Sequence, residues 1–124
     1  MSTRDVAKKL IRFCRAQKHR KAVDELYADT CISREMPGVP EEVVEGKAGI
    51  MAKNVKWFEA VKEFHECEVS DPMVSGDYFS CLMVIDVTFY GRKRMQLSEI
   101  CVYEVVKDKI VSEQFFYSSP DAAE

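Results

Sequence analysis

The chain has 124 residues, of which 47% are apolar, and a formal net charge of -3. This length allows one domain with a substantial core and leaves no room for a second, so we expect a single domain over residues 1–124. No apolar run approaches the roughly 18 residues that span a bilayer, and Lys8, Lys9 and Arg12 interrupt any apolar signal segment near the N-terminus. We expect a cytoplasmic protein with no membrane partner.

The cysteines do not predict a disulfide framework or a metal site. They are five, an odd number, and each lies in an apolar helix or strand pattern. The sequence contains no C-x-x-C pair, and the two histidines, His19 and His65, are far apart. Buried thiols in a reducing compartment are expected, with neither a metal nor a cofactor. These cysteines are Cys14, Cys31, Cys67, Cys81 and Cys101.

Positive charge is concentrated at the N-terminus, where residues 1–21 carry eight Lys or Arg against one acid, Asp5. Such a cluster is either a patch for an anionic partner or the solvated face of a helix. No aromatic residues alternate with these charges to stack on bases, so nucleic acid is not an expected partner.

Three helices are predicted in the first half of the chain from apolar residues at helical spacing. The first runs from about residue 3 to 17 and begins at a Ser2 or Thr3 cap. A second, short helix ends near Asp29. Gly46 opens a third helix with a broad apolar face.

Strands are predicted for the second half, because the apolar period changes from helical to alternating beyond Glu63. A brief strand, TCISREM, precedes a proline-containing loop before the third helix, and residues 118–124 are expected to form a loose tail. Three helices followed by strands joined by hairpins indicate an α+β domain with a mainly antiparallel sheet. The four later strands are FHECEVSDPMV, DYFSCLMVIDVTFY, RMQLSEICVYEVV and KIVSEQFFY.

The long strand of residues 78–90 is apolar on both faces. Helices can cover one face, and a second subunit is the simplest cover for the other, so we expect a homodimer through the outer sheet face. One face carries Phe79, Cys81, Met83, Ile85, Val87 and Phe89, and the other carries Tyr78, Ser80, Leu82, Val84, Asp86, Thr88 and Tyr90.

Three segments, LYADTCISREMPGVPEEVVEGKAGI, VSDPMVSGDYFSCLMVIDVTFYG and VYEVVKDKIVSEQFFY, together resemble the SnoaL-like and ketosteroid-isomerase-like branch of the nuclear transport factor 2-like superfamily. The resemblance covers nearly the whole chain. It implies a cone in which three helices pack on a strongly curved sheet and enclose an apolar pocket. The superfamily includes isomerases, polyketide cyclase-like proteins and non-catalytic binding proteins, so the resemblance does not settle the function.

The resemblance implies that Glu35 occupies the position of the isomerases' proton-transfer base. A carboxylate at the mouth of an apolar pocket loses hydration, which raises its pKa and makes it a better base. The expected tyrosine donor falls on Ile11, and the expected protonated acid falls near Cys101 or Val102. The steroid-isomerase arrangement is therefore incomplete. Isomerase- or lyase-like chemistry and a non-catalytic ligand-binding or protein-interaction dimer both remain open.

Other polar groups could assist Glu35 if they face inward. Glu99 is one such group, but one bulge would exchange the faces of the last two strands. Glu35 could equally be a strand-end residue paired with Arg34 or with a lysine of the third helix. Asp86 is expected on the outer face, and His65 in a structural role. The predicted lining of a pocket for a small apolar molecule is Phe13, Trp57, Met83, Ile85, Val87, Phe89, Cys101, Tyr103, Glu113, Phe115 and Tyr117.

Overall fold

The structure, a computed structural model, describes residues 1–118. Ser2 caps the first helix as one of the two predicted candidates, because its hydroxyl accepts from the Asp5 backbone N–H at 3.1 Å while the Asp5 carboxylate accepts from the Ser2 N–H at 3.0 Å. No helix within the described part of the chain is both long and apolar enough to cross a membrane. The helices are α1, Thr3–Arg15; α2, His19–Leu26; and α3, Lys47–Ala60.

Seven strands form one mixed sheet across the described residues, in the order β2-β1-β7-β6-β5-β3, with β4 also paired to β5. Every pairing is antiparallel except that of β1 with β7, which is parallel. The predicted α+β class with a mainly antiparallel sheet is confirmed. The strands are β1, Tyr27–Arg34; β2, Val43–Glu45; β3, Val61–Val69; β4, Met73–Ser75; β5, Tyr78–Phe89; β6, Met95–Val106; and β7, Lys109–Phe116.

Several predicted boundaries were wrong. The second helix ends at Leu26 rather than near Asp29, because Tyr27 is already extended and begins β1. The strand predicted over residues 64–74 is two strands, β3 and β4, separated around Pro72, which cannot donate to a sheet. The short strand β2 was not predicted. The expectation for residues 119–124 lies outside the described residues.

The helices pack on one face of the sheet, and the predicted alternation of β5 is confirmed. Its inward residues Phe79, Cys81, Met83 and Val87 are buried, whereas Leu82 on the other face is exposed. All five cysteines are free, and all except the half-buried Cys67 are buried.

A bulge in the β6–β7 pair decides which side chains of β7 face inward. Glu104 pairs with Ser112, but the next residue, Val105, pairs with Ile110, so Val111 is an extra residue in β7. Because side chains alternate along a strand, one extra residue exchanges the two faces beyond it. As a result Glu113 is buried next to the helices instead of facing outward.

Candidate functional site

Glu35 directly follows β1, and its side chain turns inward. Cys31 and Ser33, the two preceding residues on the same face of the strand, are fully buried. The Glu35 backbone N–H donates to the Glu42 carbonyl at 2.8 Å, which closes the loop between β1 and β2. Only 18% of the Glu35 side chain is exposed.

Both carboxylate oxygens of Glu35 accept hydrogen bonds from inward-facing donors. The Tyr117 hydroxyl donates to Oε1 at 2.7 Å, and the Lys53 ammonium donates to Oε2 at 2.9 Å. Lys53 also donates to Ser33 Oγ at 2.7 Å. Glu35 therefore faces inward and is paired with a lysine of the third helix rather than with Arg34.

A second carboxyl group, Glu113 of β7, is buried beside this pair. Its Oε1 accepts from the Tyr27 hydroxyl, and it is also hydrogen-bonded to the Ser33 hydroxyl. Burial raises the pKa of Glu113, while the two hydrogen bonds and the charge of Lys53 act in the opposite direction. Ser33 thus joins Glu113 to Lys53 and, through Lys53, to Glu35.

A third carboxyl group, Glu99 of β6, also lies on the inner face. Burial raises the pKa of Glu99 to about 7, and the neighbouring charge of Glu35 acts in the same direction. The Cys101 thiol donates to Glu99 Oε1 at 3.7 Å, which lowers the pKa by a smaller amount. Near neutral pH, Glu99 can therefore hold a proton close to the paired Glu35 carboxylate.

Aromatic rings pack between α3 and the sheet, and one further ring contacts Lys53. Trp57 of α3 meets Phe89 edge-on with 5.6 Å between ring centroids, and it meets Phe64 at 6.5 Å. The Lys53 ammonium lies 5.5 Å from the centroid of the Phe115 ring. The site therefore combines charged groups with apolar surface, as small-molecule sites usually do.

The other predicted pocket residues have varied positions. Met83, Ile85, Val87, Cys101 and Tyr103 are buried on the inner face of β5 and β6. Tyr103 stacks on Phe79 with 4.7 Å between ring centroids. Phe13 is partly buried on α1, with the Lys21 ammonium 5.9 Å from its ring centroid.

Sequence reasoning did not assign Lys53, Ser33 or Tyr27 to the site. A signal for Lys53 was present, because it lies three residues after Ile50 and four before Trp57, on the apolar face of α3. A lysine at that spacing points into the core and needs a partner. Ser33 could have been found from its alternation with Cys31 and Glu35.

Two residues expected to lie outside the site have other partners. Asp86 pairs with Arg94 at 2.7 Å, and this hydrogen bond lowers the pKa of Asp86. His65 Nε2 is hydrogen-bonded to Thr88 Oγ1 at 2.8 Å. Within residues 1–118, no group of three or more His, Cys, Asp or Glu is arranged to hold a metal ion.

The basic residues of α1 line an open groove of about 620 Å³ that also includes Asp71 and Pro72. Arg15 is held there, because its guanidinium donates to the Val69 carbonyl at 2.7 Å and pairs with Asp71 at 3.0 Å. Arg4, Lys8 and Arg12 form a stripe along the same groove. The basic segment therefore lines a groove to which Glu35, Glu99 and Glu113 do not contribute.

Comparisons with known proteins agree with this architecture. A protein from Mesorhizobium loti, provisionally named a SnoaL-like polyketide cyclase and carbohydrate phosphatase, is 28% identical with a TM-score of 0.86, covering 94% of this chain and 100% of that one. A protein of unknown function with a cystatin-like fold from Xanthomonas campestris is 20% identical with a TM-score of 0.82, covering 98% and 94%.

A third structure shares the fold alone. It is a protein with a ketosteroid isomerase-like fold from Catenulispora acidiphila, in complex with trimethylamine, 12% identical with a TM-score of 0.73, covering 91% of this chain and 85% of that one. None of the curated proteins matches this chain. The model of the SnoaL-like domain matches residues 1–117, and the chain therefore belongs to the SnoaL-like family.

Proposed function

We propose that this protein binds a small apolar carbonyl compound between α3 and the inner sheet face and moves a proton on it, with Glu35 as the base. The observation that carries the proposal is the inward Glu35 carboxylate, held by Lys53 and Tyr117 beside a carboxyl group with a raised pKa. Two carboxyl groups in different environments can divide the roles of base and acid.

The chemistry follows from these environments. Glu35, which accepts from two donors, is available as a carboxylate that takes a proton from carbon. Glu99, with its pKa raised to about 7, can supply a proton at a second position. Removing a proton at one atom and returning one at another is isomerase- or cyclase-type chemistry. The provisional name of the Mesorhizobium loti protein agrees with such chemistry for that protein.

A thermal-shift screen with bicyclic ketones, 2-tetralone among them, tests the binding half of the proposal. A compound that binds the folded protein raises its Tm in proportion to the logarithm of its concentration above Kd. Glu35→Gln should still be stabilised by such a compound but should not convert it, and Glu41→Gln, changed outside the site, should behave as wild type. If no ketone raises the Tm of any variant, the proposal fails.

A second candidate is a protein that binds a small molecule without converting it. The observation in its favour is Ile11, which occupies the expected position of the tyrosine donor and is buried as an apolar residue. A ligand that binds wild type and Glu35→Gln equally, with no conversion by either, would favour this candidate.

We also propose a homodimer through the outer sheet face. Tyr78, Leu82, Ile100 and Phe116 are 51%, 44%, 51% and 42% exposed, and they lie on neighbouring strands. Apolar surface of this kind is typical of an interface. Sedimentation equilibrium should give a dimer for wild type and a monomer for Leu82→Lys/Ile100→Lys. The control Glu59→Lys alters an exposed residue of α3, on the helix side of the sheet, and should remain dimeric, whereas a monomeric wild type would contradict the proposal.

A further inference from the structure

We propose that Lys53 binds the carbonyl oxygen of the substrate and neutralises the negative charge that forms on it, so that the substrate is a neutral ketone or related carbonyl compound with a C–H beside the carbonyl. This inference rests on the proposed role of Glu35. It assigns the missing oxygen-binding function to a residue of α3.

The donors of Lys53 leave one position open for a substrate. An ammonium group has three N–H donors. Two of them are used, by Ser33 Oγ at 2.7 Å and by Glu35 Oε2 at 2.9 Å. Among residues 1–118, no further acceptor contacts Lys53, whose side chain is only 14% exposed. A buried donor without an acceptor is costly, and a substrate oxygen would satisfy it.

The position of Lys53 relative to Glu35 suits enolate formation. An oxygen bound to the third N–H would lie about 2.8 Å from Lys53 Nζ, which is itself 2.9 Å from Glu35 Oε2. A C–H on the carbon next to that carbonyl then lies within reach of the carboxylate. Each oxygen of Glu35 uses one lone pair for Tyr117 or Lys53, and each has a second lone pair that can take a proton.

The charges balance throughout the step. Glu35 takes the proton as the C–H bond breaks, and the electron pair of that bond moves into a C=C bond while the carbonyl oxygen becomes negative. Before the step, the charge of Lys53 is paired with the Glu35 carboxylate; after it, Glu35 is neutral and the same charge is paired with the enolate oxygen. The positive charge of Lys53 therefore stays in place while the negative charge moves from the Glu35 carboxylate to the enolate oxygen.

The surroundings hold Lys53 in place for this role. The Phe115 ring lies under its ammonium with 5.5 Å to the ring centroid, a distance at which a cation is attracted to the ring. Ile11 has no donor to offer, and the Cys101 thiol already donates to Glu99. Lys53 of α3 supplies a stronger, charged donor.

The experiment uses 4-nitrophenol, whose ionised form resembles an enolate and absorbs visible light. Glu35→Gln mimics the protonated base, because it removes the charge that competes for Lys53. We expect Glu35→Gln to bind the phenolate at least about tenfold tighter than wild type does. Adding Lys53→Met should abolish this gain, adding Lys53→Arg should retain part of it, and adding Lys56→Met on the exposed side of α3 should change nothing.

The outcomes separate this inference from the proposed function. If Glu35→Gln/Lys53→Met is folded by circular dichroism and binds the phenolate as tightly as Glu35→Gln, the role of Lys53 is wrong while the pocket stands. If Lys53→Met does not fold, loss of the phenolate preference in Glu35→Gln/Lys53→Arg to the wild-type level would equally contradict the inference. If neither form of the probe binds any variant, the binding site itself is contradicted.

Discussion

Two lysines of α3 each pair with a glutamate, one pair inside the protein and the other on its surface. Lys53 and Glu35 are 2.9 Å apart with side chains 14% and 18% exposed, whereas Lys56 and Glu41, three residues along, are 2.7 Å apart and 72% and 36% exposed. The shorter contact is the outer one. Distance alone therefore does not show which pair contributes more to stability. Water screens the outer pair, whereas the inner pair has lost its water and is held by neighbouring hydrogen bonds instead.

The largest expected difference between the pairs is in stability. Lys53→Met leaves the inward Glu35 charge without its cation, and we expect it to lower the free energy of unfolding by about 2 to 3 kcal/mol. Lys56→Met, the matched control, should be close to wild type because its partner Glu41 remains hydrated. Urea denaturation of the two variants measures this difference, and equal losses would contradict the distinction between inside and outside.

The stability of the protein should also depend on pH, because the buried Glu99 lies near the charge of Glu35. The folded protein holds a proton on Glu99 up to about pH 7, whereas the unfolded chain releases it near the ordinary pKa of 4.5. Folding therefore takes up a proton in this window, so the contribution of Glu99 to the free energy of unfolding falls as the pH rises from 4.5 to 7 and is level above it. We expect a loss of about 3 kcal/mol across the window.

Denaturation of wild type and Glu99→Gln at pH 5 and pH 8 measures that loss. The glutamine cannot ionise, so the difference in stability between the variant and wild type should shift in favour of the variant at pH 8. Glu35→Gln should lower the pKa of Glu99 by removing a neighbouring charge, whereas Glu41→Gln should leave it unchanged. A difference that does not vary with pH would show that Glu99 is not buried in the assigned way.

A smaller loss of stability is expected on removing the hydroxyl of Tyr117, the neutral donor to Glu35. Tyr117→Phe removes the 2.7 Å hydrogen bond to Glu35 Oε1, and we expect a loss of about 1 kcal/mol in the free energy of unfolding. Tyr90→Phe, which changes a well-exposed phenol, serves as the control for removing a hydroxyl. If the two variants are equally stable, Tyr117 does not hold Glu35.

Salt provides the smallest of these effects. Raising NaCl from about 0.01 M to 1 M shortens the Debye length from about 30 Å to 3 Å, which weakens exposed pairs more than buried ones. The stability difference between wild type and Lys56→Met should disappear at high salt, while that of Lys53→Met should largely persist. If salt reduced the stability differences of Lys53→Met and Lys56→Met from wild type equally, both pairs would be exposed to water.

The fold could be predicted from the sequence because its main elements have strong periodicity. The alternation of β5 separates buried Phe79 and Met83 from exposed Leu82, and the burial in the structure follows it. Short elements were harder, since the three residues of β2 show no period. The boundary between α2 and β1 was misplaced because Tyr27 continues the helical spacing of Val23, although its aromatic side chain favours a strand.

The site was less predictable, because its faces depend on a bulge that leaves no mark in the sequence. One extra residue at Val111 turns Glu113 inward, and parity counting alone could not choose between the faces. The pairing of Lys53 with Glu35 joins α3 to the end of β1 across 18 residues, so only the packing of the helix on the sheet brings the two groups together. Glu35 itself could be predicted from the family resemblance.

The most direct test of the proposed role of Glu35 is hydrogen–deuterium exchange of 2-tetralone in D₂O, followed by proton NMR at the carbons beside its carbonyl. If Glu35 removes these protons, wild type should exchange them at least about 100 times faster than Glu35→Gln, after subtraction of the uncatalysed rate. Glu41→Gln should exchange them at the wild-type rate. Equal exchange by wild type and Glu35→Gln would contradict the assignment of Glu35 as the base.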